Sequence, residues 1–309
     1  MSSGRIKKMA EVCSTMANKA ARGADFIRVS DLAHAFRVDI EARPLLVEGL
    51  IARPKSTTTN TGEKTRWKIL IDEDLFAVET AEIYAESASA PLPERLRFTI
   101  AHELAHTLTF RADDLSLDLG GARGSGEALV DKLESEANTL APLLLVSDDS
   151  LASESKQQSP FNLRRLLYAR ARWAISRTVL VSRFNILRRH DPLGLYTTRA
   201  FSRMLLGVGE WKNSTNATLL SWPLFVNFGD HLLPEFASRL INRASCSLDE
   251  IVESATGPLS GDNVDVFTAT CLAGTPRNPA SEKVKFSVEI EKVEQKSGNQ
   301  FLFRVVPAT

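Results

Sequence analysis

No apolar run in this chain approaches the ~20 residues that a membrane-spanning helix needs. The opening stretch, MSSGRIKKMAEVCSTMANKA, has no continuous apolar core of the kind a secretory leader carries. Cysteine is scarce: Cys13, Cys246 and Cys271 are far apart and odd in number, a pattern that suits reduced thiols better than a disulfide framework. A cytoplasmic protein away from membranes is the expectation. Net charge is missing too. Lys plus Arg and Asp plus Glu both number 38, so no global field draws the chain to nucleic acid, and any such contact must come from a local patch. The glycine-rich stretch LGGARGSG (119–126) lacks the Lys-Ser/Thr of a P-loop, so it is read as a rim to a cleft rather than a phosphate site. No internal repeat is present.

What the chain has is the composition of a folded protein, 43% hydrophobic and 25% charged, and a length of 309 residues, enough for two or three modest domains. Residues 5–21 read as a helix. A second helix follows over Asp31–Phe36, with Ser30 placed to cap it. Three extended segments come next: Val38–Ala42, Gly49–Ala52 and Trp67–Asp72. The apolar-free stretch PKSTTTNTGEKT reads as a mobile hairpin loop between the last two. Pro91 and Pro93 precede a strong helix over Glu94–Phe110. A Gly/Asp-rich connection leads to another helix, Glu127–Leu145, then to SDDSLASESKQQSP, read as a polar linker. Residues 161–189 are again helical. Beyond about 195 the pattern turns strand-like, at Leu219–Phe228, Val264–Leu272, Val284–Val293 and Phe301–Val306, with a helix expected at Pro234–Asn242.

The chemistry is concentrated in His102-Glu-Leu-Ala-His106, an H-E-x-x-H pattern. Residues four apart on a helix share a face, so both imidazoles can reach one ion, and Glu103 can take a proton from a water on that ion. A catalytic zinc requires a third protein ligand. The long pattern that would supply a histidine at 112 fails, because that residue is Ala112. Glu134 is the leading candidate. Asn138 lies one turn on and is placed to hydrogen-bond the outer nitrogen of a ligand histidine. Glu136 competes, although it points about 160° away from the Glu134–Asn138 edge. The alternative is that these are solvated helix acids and that the histidines are satisfied core residues. A thiolate from one of the cysteines is a lesser possibility, as a cap holding the site latent.

Arg95-Leu-Arg-Phe-Thr-Ile-Ala-His-Glu-Leu-Ala-His resembles the "RFTLAHELGH" signature of the ImmA/IrrE metallopeptidases, with Ala105 where glycine is frequent. Leu133-Glu-Ser-Glu-Ala-Asn-Thr-Leu-Ala-Pro-Leu-Leu-Leu resembles that family's "E-x-E-A-N-x-F-A-x-x-L-L" helix, and Ile175 to Leu187 resembles a third, so the likeness covers about residues 25 to 190. The resemblance implies an α+β chain: a zincin-like (gluzincin) metallopeptidase domain over 1–147, basic helix-turn-helix-like helices over 160–190 and a GAF-like α/β sensor domain over 195–309. It implies Zn2+ as cofactor and a helix-turn-helix repressor as substrate. It further implies a trigger of DNA damage, single-stranded DNA or phage infection, as in regulators of anti-phage operons.

The segment between Asn162 and His190 carries eight arginines and no acid, with Tyr168, Trp173 and Phe184 interleaved. Arg164, Arg165, Arg170, Arg172, Arg177, Arg188 and Arg189 could contact phosphates while the aromatics stack on unpaired bases. The competing reading makes the aromatics core and pairs the arginines with Asp148, Asp149 and Glu154; Arg183 fits a structural role. Two rivals to a regulatory protease stay open at this level: a DNA-binding regulator with a non-catalytic zinc, and a peptidase of broad specificity.

Overall fold

The computed structural model describes residues 3–52, 67–112, 125–156, 162–189, 205–211, 217–221, 227–228, 231–232, 264–275, 278–291 and 300–307. The chain divides into two compact units, one of residues 1–154 with 171–186, the other of 155–170 with 187–309.

The first unit begins with helices α1 (Ser3–Ala21) and α2 (Val29–Phe36), followed by strands β1 (Val38–Arg43), β2 (Gly49–Ala52) and β3 (Trp67–Asp72). The sheet order is β1-β3-β2: β1 runs parallel to β3, and β2 pairs antiparallel with β3 at the edge. The short helices α3 (Glu73–Phe76) and α4 (Thr80–Tyr84) lead to α5 (Glu94–Ala112) and α6 (Ser125–Leu145). Helix α5 packs on β2, β3 and α6, and α6 also packs on α1. The core between them is made of Ile69 and Ile71 from β3, Leu96, Ile100 and Leu104 from α5, and Ala137, Leu140 and Leu144 from α6, all buried. Helix α5 is buried around most of its circumference, as a helix between a sheet and another helix must be.

Two expectations need correction. Ser30 does not cap α2. The helix starts two residues earlier, at Val29, with Arg28 at the cap position, and the orphan Val29 N–H donates to Oε2 of Glu86 at 2.7 Å. The partner lies 57 residues away, which no local pattern reveals. The polar stretch after α6 is not a linker over most of its length: residues Asp148–Lys156 form α7. Ser147 Oγ accepts from Ser150 N–H at 3.1 Å, two acids open the first turn, and Leu151 is buried beneath it. Asp148 receives the hydroxyl of Ser14 and an ion pair from Arg183, and Glu154 receives Arg172. Residues 157–160 of that stretch, the loop 54–65 and the expected helix at 234–242 lie outside the described residues.

Helices α8 (Leu163–Trp173) and α9 (Arg177–Arg189) are separated by a turn at Ala174, whose φ of 49° is left-handed. Next to this turn is the most buried charge in the unit. Arg97 is 0% exposed. Its guanidinium pairs with Glu86 and donates to Ala174 O (3.1 Å), Ile27 O (2.9 Å) and Trp173 O (3.3 Å). It also stacks over the Phe26 ring at 4.4 Å. Glu86 in turn accepts from Val29 N–H and Leu92 N–H.

The second unit is built on an antiparallel sheet. Its strands are β4 (Leu205–Trp211), β5 (Ala217–Ser221), β6 (Asn227–Phe228), β7 (His231–Leu232), β8 (Val264–Thr275), β9 (Asn278–Glu291) and β10 (Gln300–Pro307), in the order β5-β4-β10-β9-β8-β7-β6. Strand β4 is an addition to the sequence expectation, and the single segment expected over 219–228 is two strands. Arg304 of β10 pairs with Glu289 of β9 at 2.7 Å, and the same Glu289 accepts the Leu163 N–H at the start of α8.

Replacing Arg97 with Met leaves the Glu86 carboxylate buried without its cation. Urea unfolding of the full chain should show a loss of about 3–5 kcal/mol, and the double replacement Arg97→Met, Glu86→Leu should recover part of it because the uncompensated charge is gone.

Candidate metal centre

His102 and His106 lie one turn apart on α5, on the face that meets α6. Their Nε2 atoms approach to 3.0 Å, with the rings nearly perpendicular at 80°. Glu134 reaches across from α6 and offers one oxygen to each imidazole, Oε2 at 3.0 Å from His102 Nε2 and Oε1 at 3.1 Å from His106 Nε2. Three ligand atoms within 4.8 Å of one another thus converge from two helices. Two ligand atoms each about 2.05 Å from one tetrahedral zinc would stand roughly 3.3 Å apart, close to what is observed.

The donor set also fits a cation by its protonation chemistry. Nδ1 of His102 stands 3.1 Å from Oδ1 of Asn138. When Nδ1–H donates to that oxygen, Nε2 presents a lone pair toward the Glu134 carboxylate and toward His106. Acceptors facing acceptors need a positive charge between them. His106 is pushed below the ordinary histidine range, first by burial and then by His102, against the opposing pull of Glu134. Burial therefore favours the neutral, ligating form of that ring. Phe98, one turn before His102, tilts against its ring at 6.1 Å.

Glu103 is buried on the other flank of α5, toward β2. Its carboxyl is pushed up to about 7, chiefly by burial and then by the charge of Glu134, while a hydrogen bond from the Ile51 backbone pulls it the other way. A carboxyl poised near neutrality can exchange a proton in either direction at physiological pH. Beside it, Glu48 pairs with Arg95, and Thr99 Oγ1 bonds Glu48 Oε2 (3.4 Å) and the Arg95 carbonyl (3.1 Å). Sequence reasoning missed β2 as a neighbour of this site. The available signal was Gly49, a glycine at the start of a strand, where close backbone approach is one reason for that residue.

Glu136 lies elsewhere. It is 1% exposed and faces α1, 3.4 Å from the Arg5 guanidinium, with Lys132 at 4.0 Å. Cys13 is buried on α1, where desolvation raises its thiol, and it does not join the histidine cluster. Cys271 lies in β8, and Cys246 falls outside the described residues. Among the basic residues, Arg172 pairs with Glu154 and with Asp25 (3.6 Å), and Arg183 is buried against Asp148 and the Val146 carbonyl. Trp173 and Phe184 are core residues and offer no face for stacking, whereas Tyr168 is 62% exposed with Arg164 over its ring at 5.9 Å. Arg165 and Arg170 are partly buried on α8 and Arg177 on α9. Arg188 and Arg189 lie in the last turn of α9.

The family model for the IrrE N-terminal-like domain matches residues 85–185, a span that holds all three converging side chains and Glu103. Over 72 residues the chain is 36% identical to the radiation response metalloprotease IrrE of Deinococcus radiodurans, a stretch covering 23% of this chain and 22% of that protein. The chain thus spans less than a quarter of that relative's length. No solved structure matches it. Among the described residues, no helix is long and apolar enough to cross a membrane.

Two measurements test this geometry. Replacing Asn138 with Ala should weaken zinc binding about 10–100-fold in competition with a chromophoric chelator, and replacing Glu134 with Ala should weaken it further. The second concerns Glu103, which holds its proton more tightly in the folded chain than in the unfolded one. Its contribution to stability is full below the usual carboxylate value of 4.5 and is lost as the pH rises through about 7. In chelator-treated protein, Glu103→Gln should flatten the corresponding part of the Tm-against-pH curve.

Proposed function

We propose that this chain, whose residues 85–185 match the IrrE N-terminal-like domain, belongs to the ImmA/IrrE peptidases and is a zinc-dependent regulatory endopeptidase that cuts a helix-turn-helix repressor. The observation that carries the reading is the convergence of His102, His106 and Glu134 beside the buried carboxyl of Glu103. A zincin-like arrangement of α5 and α6 against the β1-β3-β2 sheet accords with it.

A divalent ion at this centre supplies Lewis acidity, which acidifies a water and polarises a scissile carbonyl. The protein's own groups do the rest. His102 and His106 hold their positions through the helix, and Asn138 fixes the His102 ring by its Nδ1. Glu103 receives the proton of the attacking water on its carboxylate and returns it to the departing amine nitrogen, so the carboxylate is regenerated as the C–N bond breaks. Strand β2 is the edge of its sheet and lies against α5, so an extended peptide can align beside it at the level of Glu103. That requirement favours a loop or linker of the substrate over a folded helix.

Single-stranded nucleic acid is our proposed activating ligand. The exposed Tyr168 with Arg164 over its ring supports this, as does a relative whose name ties it to a radiation response. In this reading the antiparallel C-terminal sheet is a sensing domain of the GAF-like type.

Purified chain incubated with a helix-turn-helix protein encoded beside it should give one discrete cut, faster when single-stranded DNA is added. The Glu103→Gln variant should retain bound zinc yet lose cleavage by a factor on the order of 10²–10⁴. Undiminished cleavage by that variant would rule out the proposed base. Degradation of unfolded casein at a comparable rate would replace the regulatory reading with one of broad specificity.

A further inference from the structure

Strand β2 meets α5 unusually closely, and Gly49 is where it does so. A Cβ built on Gly49 would stand 2.8 Å from Thr99 Cγ2, 3.2 Å from Ile71 Cδ1 and 3.5 Å from Glu103 Cγ. The first distance is one that real Cβ atoms essentially never show. The reason for glycine here is space, since Gly49 is not among the residues with positive φ. Thr99 has little freedom to yield. It is β-branched and sits mid-helix, and its hydroxyl is bound back to the Arg95 carbonyl at 3.1 Å.

Two residues along the same strand, the Ile51 amide donates to the Glu103 carboxyl. The register explains why it is available. Glu48 O accepts from Asp72 N at 3.1 Å, and Gly49 and Ile51 stand opposite Ile71 and Ile69. In an antiparallel ladder, hydrogen-bonded and non-hydrogen-bonded pairs alternate. If 48 opposite 72 is a hydrogen-bonded pair, then 50 opposite 70 is the next, and the amides of 49 and 51 point to the free edge. The Ile51 N–H is therefore not used in the sheet and reaches Glu103.

We propose that β2 is the positioning element for Glu103. Gly49 lets the strand settle onto α5, and the Ile51 amide then fixes one carboxylate oxygen and so the direction of the other. Gly49 and Ile51 are positioning residues that act through Glu103. The proposal rests on the reading of Glu103 as the base. Its first readout does not depend on catalysis, so failure of one is distinguishable from failure of the other.

The test is the Ile51 amide resonance in the isotope-labelled, zinc-loaded full chain. In the wild type it should show the downfield proton shift and slow exchange of an amide bound to a carboxylate. Glu103→Ala, which leaves Gly49 untouched, should abolish both. Gly49→Ala should abolish or strongly reduce both while zinc stoichiometry stays at one per chain, and kcat for repressor cleavage should fall about a hundredfold with KM little changed. Thr99→Ser removes the methyl nearest the added Cβ and keeps the hydroxyl. The double variant Gly49→Ala, Thr99→Ser should therefore restore the amide signature and most of kcat. An Ile51 amide indifferent to Glu103→Ala overturns the proposal. So does a double variant that folds and binds zinc without recovering the signature, even where Gly49→Ala alone fails to fold.

Discussion

A single buried cation organises the first unit. Arg97 has four partners drawn from distant stretches of chain: the carboxyl of Glu86, the carbonyl of Ile27 before α2, and the carbonyls of Trp173 and Ala174 where α8 turns into α9. Glu86 extends the network to the first amide of α2. Helix α5 carries this cation five residues before His102, so the fastening that joins four segments also sets where the histidines stand. A buried pair of this kind gains little over apolar packing, but it is intolerant of misplacement, since any partner out of position leaves charge in a low-dielectric interior.

The candidate metal centre divides its side chains by environment. His106 is buried and His102 largely so, both on a helix buried on most sides, whereas the Glu134 side chain is half exposed. Burial favours the uncharged form of His106 and keeps Glu103 on the edge of protonation. The carboxylate that would balance the ion's charge is the ligand in contact with water. Structural rigidity and electrostatic compensation are thus supplied from opposite sides of the cleft.

Much of this was legible in the residues. The spacing of His102 and His106 forces a shared face, and the Glu134–Asn138 interval places a carboxylate and an amide on one edge of α6, with Glu136 turned away toward Arg5. Helices α1, α5 and α6 and strands β1 to β3 follow from period and punctuation. What escaped is what depends on partners far along the chain. Asp148 and Glu154 look like solvated acids in a polar stretch until Arg183 and Arg172 cover them. Ser30 looks like a cap until Glu86 takes that task. Trp173 and Phe184 look available for stacking until the core closes over them. Strand β4 carries two glycines and offers no clear alternation. The contact of β2 with Glu103 is tertiary throughout, and only its glycine hinted at it.

Helix α6 carries a carboxylate on each of two flanks. Glu134 faces the imidazoles of α5, and two residues later Glu136 faces the guanidinium of Arg5 on α1. A turn of the helix about its axis would break the Glu136–Arg5 pair. That pair helps to set the angle of α6, and so the direction from which Glu134 faces the imidazoles. Capture of an ion there would cost little ordering entropy. An ion would enter such a site as a key enters a lock, in contrast to the small zinc modules that must fold around theirs.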